Sequence, residues 1–147
     1  TPIALKLLLS PLPFRAMLLM VQKEAAERFT AAPGARVYGP LAALSQLRFE
    51  NVGTLCLLAP DKYYPQPQVH SAVVLLEGQG SLSPARAADF GKFLAAAFAM
   101  RRKTLFNNLA AAGFPREKLP EICAQRAEAL TPAQLLSLYE LLEGENA

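Results

Sequence analysis

The run from Ala16 to Val21, six apolar residues without a polar interruption, constrains the fold of this chain more than any other stretch. A strand with one wet face alternates apolar and polar side chains. A run without alternation predicts a strand buried on both faces, as in the centre of a parallel sheet. Gln22, Lys23 and Glu24 follow, then Ala25 to Phe29 in a helical pattern closed by Pro33 and Gly34. The unit reads as a strand leading into a helix. The theme continues with a helix over Pro40–Phe49, a strand over Val52–Leu58, a proline-rich loop over Pro60–Gln68 and a strand over Val69–Glu77. Strands alternating with helices predict an α/β layer.

Ahead of this layer, Ile3 to Leu9 is apolar nearly all round, which predicts a helix buried on several sides. Thr1 reads as its cap and Pro2 as its first residue, and Ser10, Pro11, Leu12 and Pro13 end it. The opening lacks an initiator methionine and reads as a helix start, so a truncated chain is expected.

Gly78 to Ser81 marks a boundary, and only helical signals follow. Ser83 and Pro84 open the first helix. Phe90, Phe93, Leu94, Ala97 and Phe98 fall on one face of it. A second helix is expected over Arg102–Ala112, ended by Gly113, and a third over about Pro115–Ala124. In the last, Thr131 and Gln134 have capping-box spacing, Leu135, Leu138, Tyr139 and Leu142 form the stripe, and Gly144 ends it. The division is therefore 1–78 against 79–147.

Composition narrows the function classes. With 147 residues, 52% of them hydrophobic and 18% charged, the chain has the apolar content of a folded domain rather than a disordered one. No apolar run approaches the ~18 residues of a membrane span. Cys56 and Cys123 stand far apart in apolar surroundings and read as buried free thiols in a cytosolic setting. With one histidine, His70, neither a histidine metal site nor a serine triad has support, and His70 reads as a strand-edge residue. Charge is uneven. Between Arg86 and Arg126 eight basic residues face three acidic ones, and every later charge is acidic. A local basic segment is a plausible phosphate-contact surface.

Two features carry candidate chemistry. The loop from Lys62 to Val69 presents Tyr63 and Tyr64 on a proline-stiffened backbone. Its aromatic faces can stack an extruded base or simply cover the sheet edge. Arg101, Arg102 and Lys103 form a cationic run at a helix junction, which is either a solvated face or an RNA-backbone contact. Asn107 and Asn108, one turn on, can add polar contacts. Lys23 lies at the carboxyl end of the first strand, where open α/β sheets carry their ligands.

Taken in order, five stretches resemble the KsgA family of small-subunit ribosomal RNA adenine N6,N6-dimethyltransferases. Thr1 to Ile3 is similar to the helix after that family's Asn-Leu-Pro-Tyr motif. Met20 to Arg28 resembles its Gln-Lys-Glu strand-helix segment. Tyr38 to Leu41 resembles its Tyr-Gly element, with Pro40 in place of a small polar residue. Tyr63 to Val73 resembles its aromatic-x-Pro-x-Pro loop, and Phe98 to Leu105 its Arg-Arg-Lys-Thr segment.

The resemblance implies the C-terminal part of a Rossmann-like methyltransferase sheet over 1–78, then a small all-helical RNA-binding domain over 79–147. It implies S-adenosylmethionine as cofactor, bound mainly by an N-terminal half outside this chain, with no cofactor-binding residue here. It implies small-subunit ribosomal RNA in the 30S subunit as partner, a cytoplasmic setting, and neither membrane nor metal. Tyr63 takes the place of the family's base-packing aromatic, and Lys23, Arg28, Lys62, Arg101, Arg102 and Lys103 are the RNA-contact candidates. The glycine-rich cofactor motif and Asn-Leu-Pro-Tyr are absent from this sequence, so the chain alone is expected to be inactive. A large-subunit adenine methyltransferase of the antibiotic-resistance type and a non-catalytic RNA-binding or ribosome-assembly factor are the alternatives.

Overall fold

A computed structural model describes residues 2–144. Helix α1 (Pro2–Leu9) leads to strand β1 (Ala16–Gln22), which runs directly into α2 (Lys23–Thr30). Helix α3 (Pro40–Arg48), β2 (Asn51–Leu58) and β3 (Ser71–Glu77) complete the α/β part. Helices α4 (Ala87–Ala97), α5 (Leu105–Ala111) and α6 (Pro132–Gly144) follow, with short 3-10 turns between them. The cap expected at Thr1 lies outside the described residues.

The three strands are ordered β1-β3-β2, and β3 is antiparallel to both neighbours. The parallel sheet expected from the Ala16–Val21 run is thus not what these strands form with β3. The connections explain this. A parallel neighbour needs a long crossover, usually a helix, whereas the link from β2 to β3 is a loop with one 3-10 turn, so the chain doubles back. Helices α2 and α3 do form a crossover, and it sets β1 and β2 pointing the same way with β3 between them.

Burial along β1 also departs from the expectation. Met17, Leu19 and Val21 lie opposite Leu76, Val74 and Ala72 and face the core. Leu18 and Met20, on the other face, are 62% and 60% exposed. Leu55 and Cys56 on β2 are exposed too, so only one of the two expected thiols, Cys123, is buried. The outer sheet face is apolar in composition but carries no helix among the described residues. The inner face packs on α2 and α3 through Ala26, Phe29, Leu44 and Leu47.

From there the core runs without a break into the helical part, where Phe90, Phe93, Leu94, Leu105, Leu109 and Leu135 are all buried. Close approaches join the two parts. A Cβ at Gly80 would sit 2.1 Å from the Leu47 carbonyl oxygen, and one at Gly91 would sit 2.3 Å from the Leu9 side chain. Arg48 is buried and has no carboxylate partner among the described residues. Its guanidinium donates to the carbonyls of Leu8, Ser10 (3.0 Å) and Leu12 (3.1 Å), which end α1 and begin the loop after it. The partial negative charge of a helix C-terminus compensates such a cation, and burial still lowers its pKa.

The last helix is as expected. Thr131 N–H donates to Gln134 Oε1 (2.9 Å), Gln134 N–H donates back to Thr131 Oγ1 (3.2 Å), and the stripe Leu135, Leu138, Tyr139 and Leu142 is buried. Two other helix starts shift, and one expected helix is absent among the described residues. Helix α4 begins at Ala87 after a 3-10 turn over Pro84–Arg86, with no Ser83 side-chain cap. Helix α5 begins at Leu105 rather than Arg102 because Thr104 caps it, accepting from Asn107 N–H at 3.4 Å. The expected helix over Pro115–Ala124 is instead two 3-10 turns, Arg116–Lys118 and Glu121–Ala124. Pro120 removes a donor and pushes Leu119 out of helical geometry, so the segment cannot propagate.

Candidate nucleic-acid interface

The proline-rich loop places Tyr63 at the end of a 3-10 turn, Pro60–Lys62, with its N–H donating to the Pro60 carbonyl at 3.2 Å. The Tyr63 ring is half-buried, and its hydroxyl donates to Met20 Sδ at 3.4 Å. It therefore lies against the outer side of β1, two residues short of that strand's carboxyl end. Tyr64 is fully exposed. The far end of the loop is pinned where α2 starts, by Lys23 N–H donating to the His70 carbonyl at 3.0 Å. Lys62 pairs with Asp61 at 3.6 Å, both largely exposed, and His70 is exposed just before β3.

The cationic run occupies the turn between α4 and α5, and its three members have different surroundings. Arg101 Nε donates to Glu128 Oε2 at 2.6 Å, and Nη2 donates to the Ala35 carbonyl at 3.3 Å. Arg102 and Lys103 are exposed and have no acidic partner among the described residues. Asn108 does not add to this surface. It is buried, and its Nδ2 donates to the carbonyls of Ala97 (2.7 Å) and Met100 (3.1 Å). Those bonds fix the turn that presents the cations, because a buried amide must spend its donors on available carbonyls.

Arg101 meets a residue that sequence reasoning did not single out. Arg28 at the end of α2, Arg36 in the loop before α3, and Arg101 line one hollow of about 580 Å³ with Gly39, Pro40 and Leu41. Arg28 and Arg36 are exposed and have no acidic partner among the described residues. The loop carrying Arg36 is held in three ways. Gly34, at φ +83°, donates its N–H to the Glu128 carbonyl at 2.7 Å. Tyr38 is buried, its hydroxyl donates to the Leu130 carbonyl at 2.9 Å, and its ring meets Phe98 edge-on with centroids 6.0 Å apart. The candidates thus form two groups, with Tyr63, Lys62 and Lys23 around the end of β1 and Arg28 and Arg101 at the hollow. Arg102 and Lys103 stand on the open side of the α4–α5 turn.

Among the described residues, no three His, Cys, Asp or Glu side chains are placed to hold a metal ion. No described helix is long and apolar enough to cross a membrane.

The model of the ribosomal RNA adenine dimethylase family matches residues 1–143. The ribosomal RNA small subunit methyltransferase A of Koribacter versatilis is 41% identical over 135 residues, covering 86% of this chain and 47% of that protein. The protein of the same name from Natranaerobius thermophilus is 40% identical over 111 residues, 74% of this chain and 36% of that protein. This chain therefore spans less than half the length of these relatives. Among solved structures, a dimethyladenosine transferase from Plasmodium falciparum aligns over 99% of this chain and 63% of its own, with TM-score 0.78 and 23% identity. The 23S rRNA methyltransferase ErmE aligns over 88% of this chain and 55% of its own, with TM-score 0.57 and 19% identity. At these identities the two structures show a shared fold alone.

Proposed function

This chain belongs to the ribosomal RNA adenine dimethylase family, and from that premise we propose that it is the base-facing and RNA-gripping portion of a small-subunit ribosomal RNA adenine N6,N6-dimethyltransferase. Residues 1–78 are the C-terminal part of a Rossmann-like catalytic domain, and residues 79–147 are a helical RNA-binding domain. The partner is small-subunit ribosomal RNA in the cytoplasmic 30S subunit. The observation that carries this reading is the placement of Tyr63 beside Met20 near the carboxyl end of β1, with α2 leading from there to a hollow of three arginines.

S-adenosylmethionine supplies the methyl group in such an enzyme, but this chain's residues do not fit it. A site of that kind needs a glycine turn and a carboxylate at the carboxyl end of a strand. Glu50 lines a hollow with Gly53, but at the amino end of β2. The arginine hollow would repel a sulfonium cation.

What the chain's own residues contribute is positioning. The adenine N6 amine is a poor nucleophile because its lone pair is delocalised into the ring. A large share of the rate gain then comes from holding base and donor in line. The accessible face of Tyr63 offers a stacking surface for an extruded base, worth ~1–3 kcal/mol. Arg28, Arg101, Arg102, Lys103, Lys62 and Lys23 offer phosphate contacts.

The test uses the full-length enzyme with Tyr63→Ala and Tyr63→Phe, assayed for methyl transfer to small ribosomal subunits. The alanine variant should lose roughly 5- to 150-fold in kcat/KM, and the phenylalanine variant should stay within about twofold. Equal activity of both with wild type would refute the stacking role. Methyl transfer by residues 1–147 alone would refute the division of labour.

A further inference from the structure

We propose that the hollow between Arg28, Arg36 and Arg101 is a discrete subsite for one phosphodiester group of the bound RNA, with the amino end of α3 as its floor. The inference rests on the RNA-binding reading above and deepens it by assigning Arg36, α3 and Glu128 to that site.

The arginines carry the argument. They come from three separate segments, α2, the loop before α3 and the α4–α5 turn, yet they line one concavity. Arg28 and Arg36 have no acidic partner among the described residues, and Arg101 has only Glu128. Like charges that line one concavity repel in the free protein, so their convergence is productive when an anion fills the space. The hollow, at about 580 Å³, is large enough to admit a phosphate group.

Glu128 does not cancel this charge. It binds Arg101 through Nε at 2.6 Å and lies 3.8 Å from Arg126. Arg101 also spends Nη2 on the Ala35 carbonyl. These two bonds fix the plane of the guanidinium, and an oriented guanidinium loses less entropy when it grips an oxyanion.

The floor adds to the same chemistry. Helix α3 has nine residues, starts from Gly39 without a side-chain cap, and has Pro40 in its first turn. The first four amides of a helix have no intrahelical acceptor, and proline contributes none, so Leu41 N–H and Ala42 N–H have neither an intrahelical nor a side-chain partner among the described residues. Leu41 lines the hollow, and the partial positive charge of the helix end falls there.

The test compares wild-type protein with Arg36→Ala and with the triple variant Arg101→Ala, Arg102→Ala, Lys103→Ala. The probes are a 12-nucleotide single-stranded RNA of mixed sequence and, separately, inorganic phosphate. Affinities are measured from low to moderate salt. Arg36 is exposed and makes no ion pair among the described residues, so its replacement should not unfold the protein, and a thermal melt of the variant checks this. For Arg36→Ala we expect roughly tenfold weaker RNA binding at low salt. The slope of log K against log salt should be shallower by about 0.7. The weakening should be uniform across RNA sequences.

If Arg36→Ala binds with wild-type affinity and slope while the triple variant is impaired, the subsite is wrong and the RNA-binding reading stands. If wild-type protein shows no salt-dependent RNA binding, both fall. If inorganic phosphate shifts the Arg36 and Leu41 NMR signals but Arg36→Ala leaves RNA affinity unchanged, the hollow is a free-anion site and the proposal is overturned.

Discussion

Replacing Tyr38 with phenylalanine removes one hydroxyl and nothing else, which makes it the sharpest probe of how the two parts of the chain are locked. Tyr38 is 2% exposed, and its hydroxyl donates to the Leu130 carbonyl across 92 residues of sequence. A phenylalanine ring keeps the edge-on contact with Phe98 and the packing on Ala31 and Ala42. What it loses is the partner of a carbonyl just before α6. An unsatisfied buried acceptor costs about 1–3 kcal/mol. At roughly 2–4 °C per kcal/mol for a chain of this size, the melting temperature should fall by about 2–12 °C in calorimetry. A second arm uses pH. Burial raises the Tyr38 pKa well above its ordinary value of 10.0. A group whose folded pKa is raised gives its full stabilisation below the unfolded value and loses it as pH climbs toward the folded one. The wild-type advantage should therefore be constant to about pH 9 and shrink above pH 10. A melting temperature within 1 °C of wild type, or an advantage that grows with alkaline pH, would refute this account of the lock.

Asn108→Ala should destabilise the protein by about 1–3 kcal/mol in urea titration, because the Ala97 and Met100 carbonyls lose their donor, and it should broaden the NMR signals of Arg101 to Lys103. Gly80→Ala should cost at least about 1–3 kcal/mol, since its Cβ would meet the Leu47 backbone oxygen at 2.1 Å and no side chain can yield there. In Glu143→Gln the effect should be small, below about 1 kcal/mol near neutrality, because the site is exposed. Bonds from the Tyr139 hydroxyl and then Arg86 lower the Glu143 pKa below its ordinary 4.5. The wild-type advantage should thus be full above about pH 5 and vanish as pH falls through the depressed value. An advantage that survives at pH 2 would contradict it.

What could be read from the residues was whatever neighbouring residues decide among themselves. The Thr131–Gln134 capping box and the stripe from Leu135 to Leu142 depend on spacing within one helix, and both stand as expected. The Ala16–Val21 run announced a strand, but its strand direction was set by the loop after β2, some forty residues on. Its second face is a matter of what else packs there, which the run itself does not encode. Pro120 is the local signal against the expected 115–124 helix, since it breaks the segment into two 3-10 turns. For the candidate site, the tyrosine loop and the cationic turn were visible as motifs. The hollow was not, because residues 28, 36 and 101 become neighbours only through the packing of α2 and α3 and the bonds to Leu130 and Glu128. Asn108 shows the opposite error. A polar residue beside a basic run resembles a ligand contact until its burial is known.

The charge asymmetry gains a direction from α4. Arg86 lies just before this helix and pairs with Glu140 and Glu143 of α6, both at 2.8 Å. Arg101 follows its other end, and eleven helical residues hold the two sites roughly 16 Å apart along the axis. At the Arg86 end, acidic residues of α6 neutralise the cation, and Asp89, Glu140 and Glu143 line a further hollow there. At the Arg101 end, three arginines line one hollow, and of these Arg101 pairs with Glu128, a carboxylate that also lies 3.8 Å from Arg126. A formal net charge of +3 understates this arrangement. A polyanion approaching the α4–α5 turn meets attraction, and one approaching the α4 start meets carboxylates. On the proposed RNA-binding reading, the gradient along α4 would orient the polyanion toward the hollow before any short-range contact forms, and from there α2 leads back to the end of β1 at Lys23.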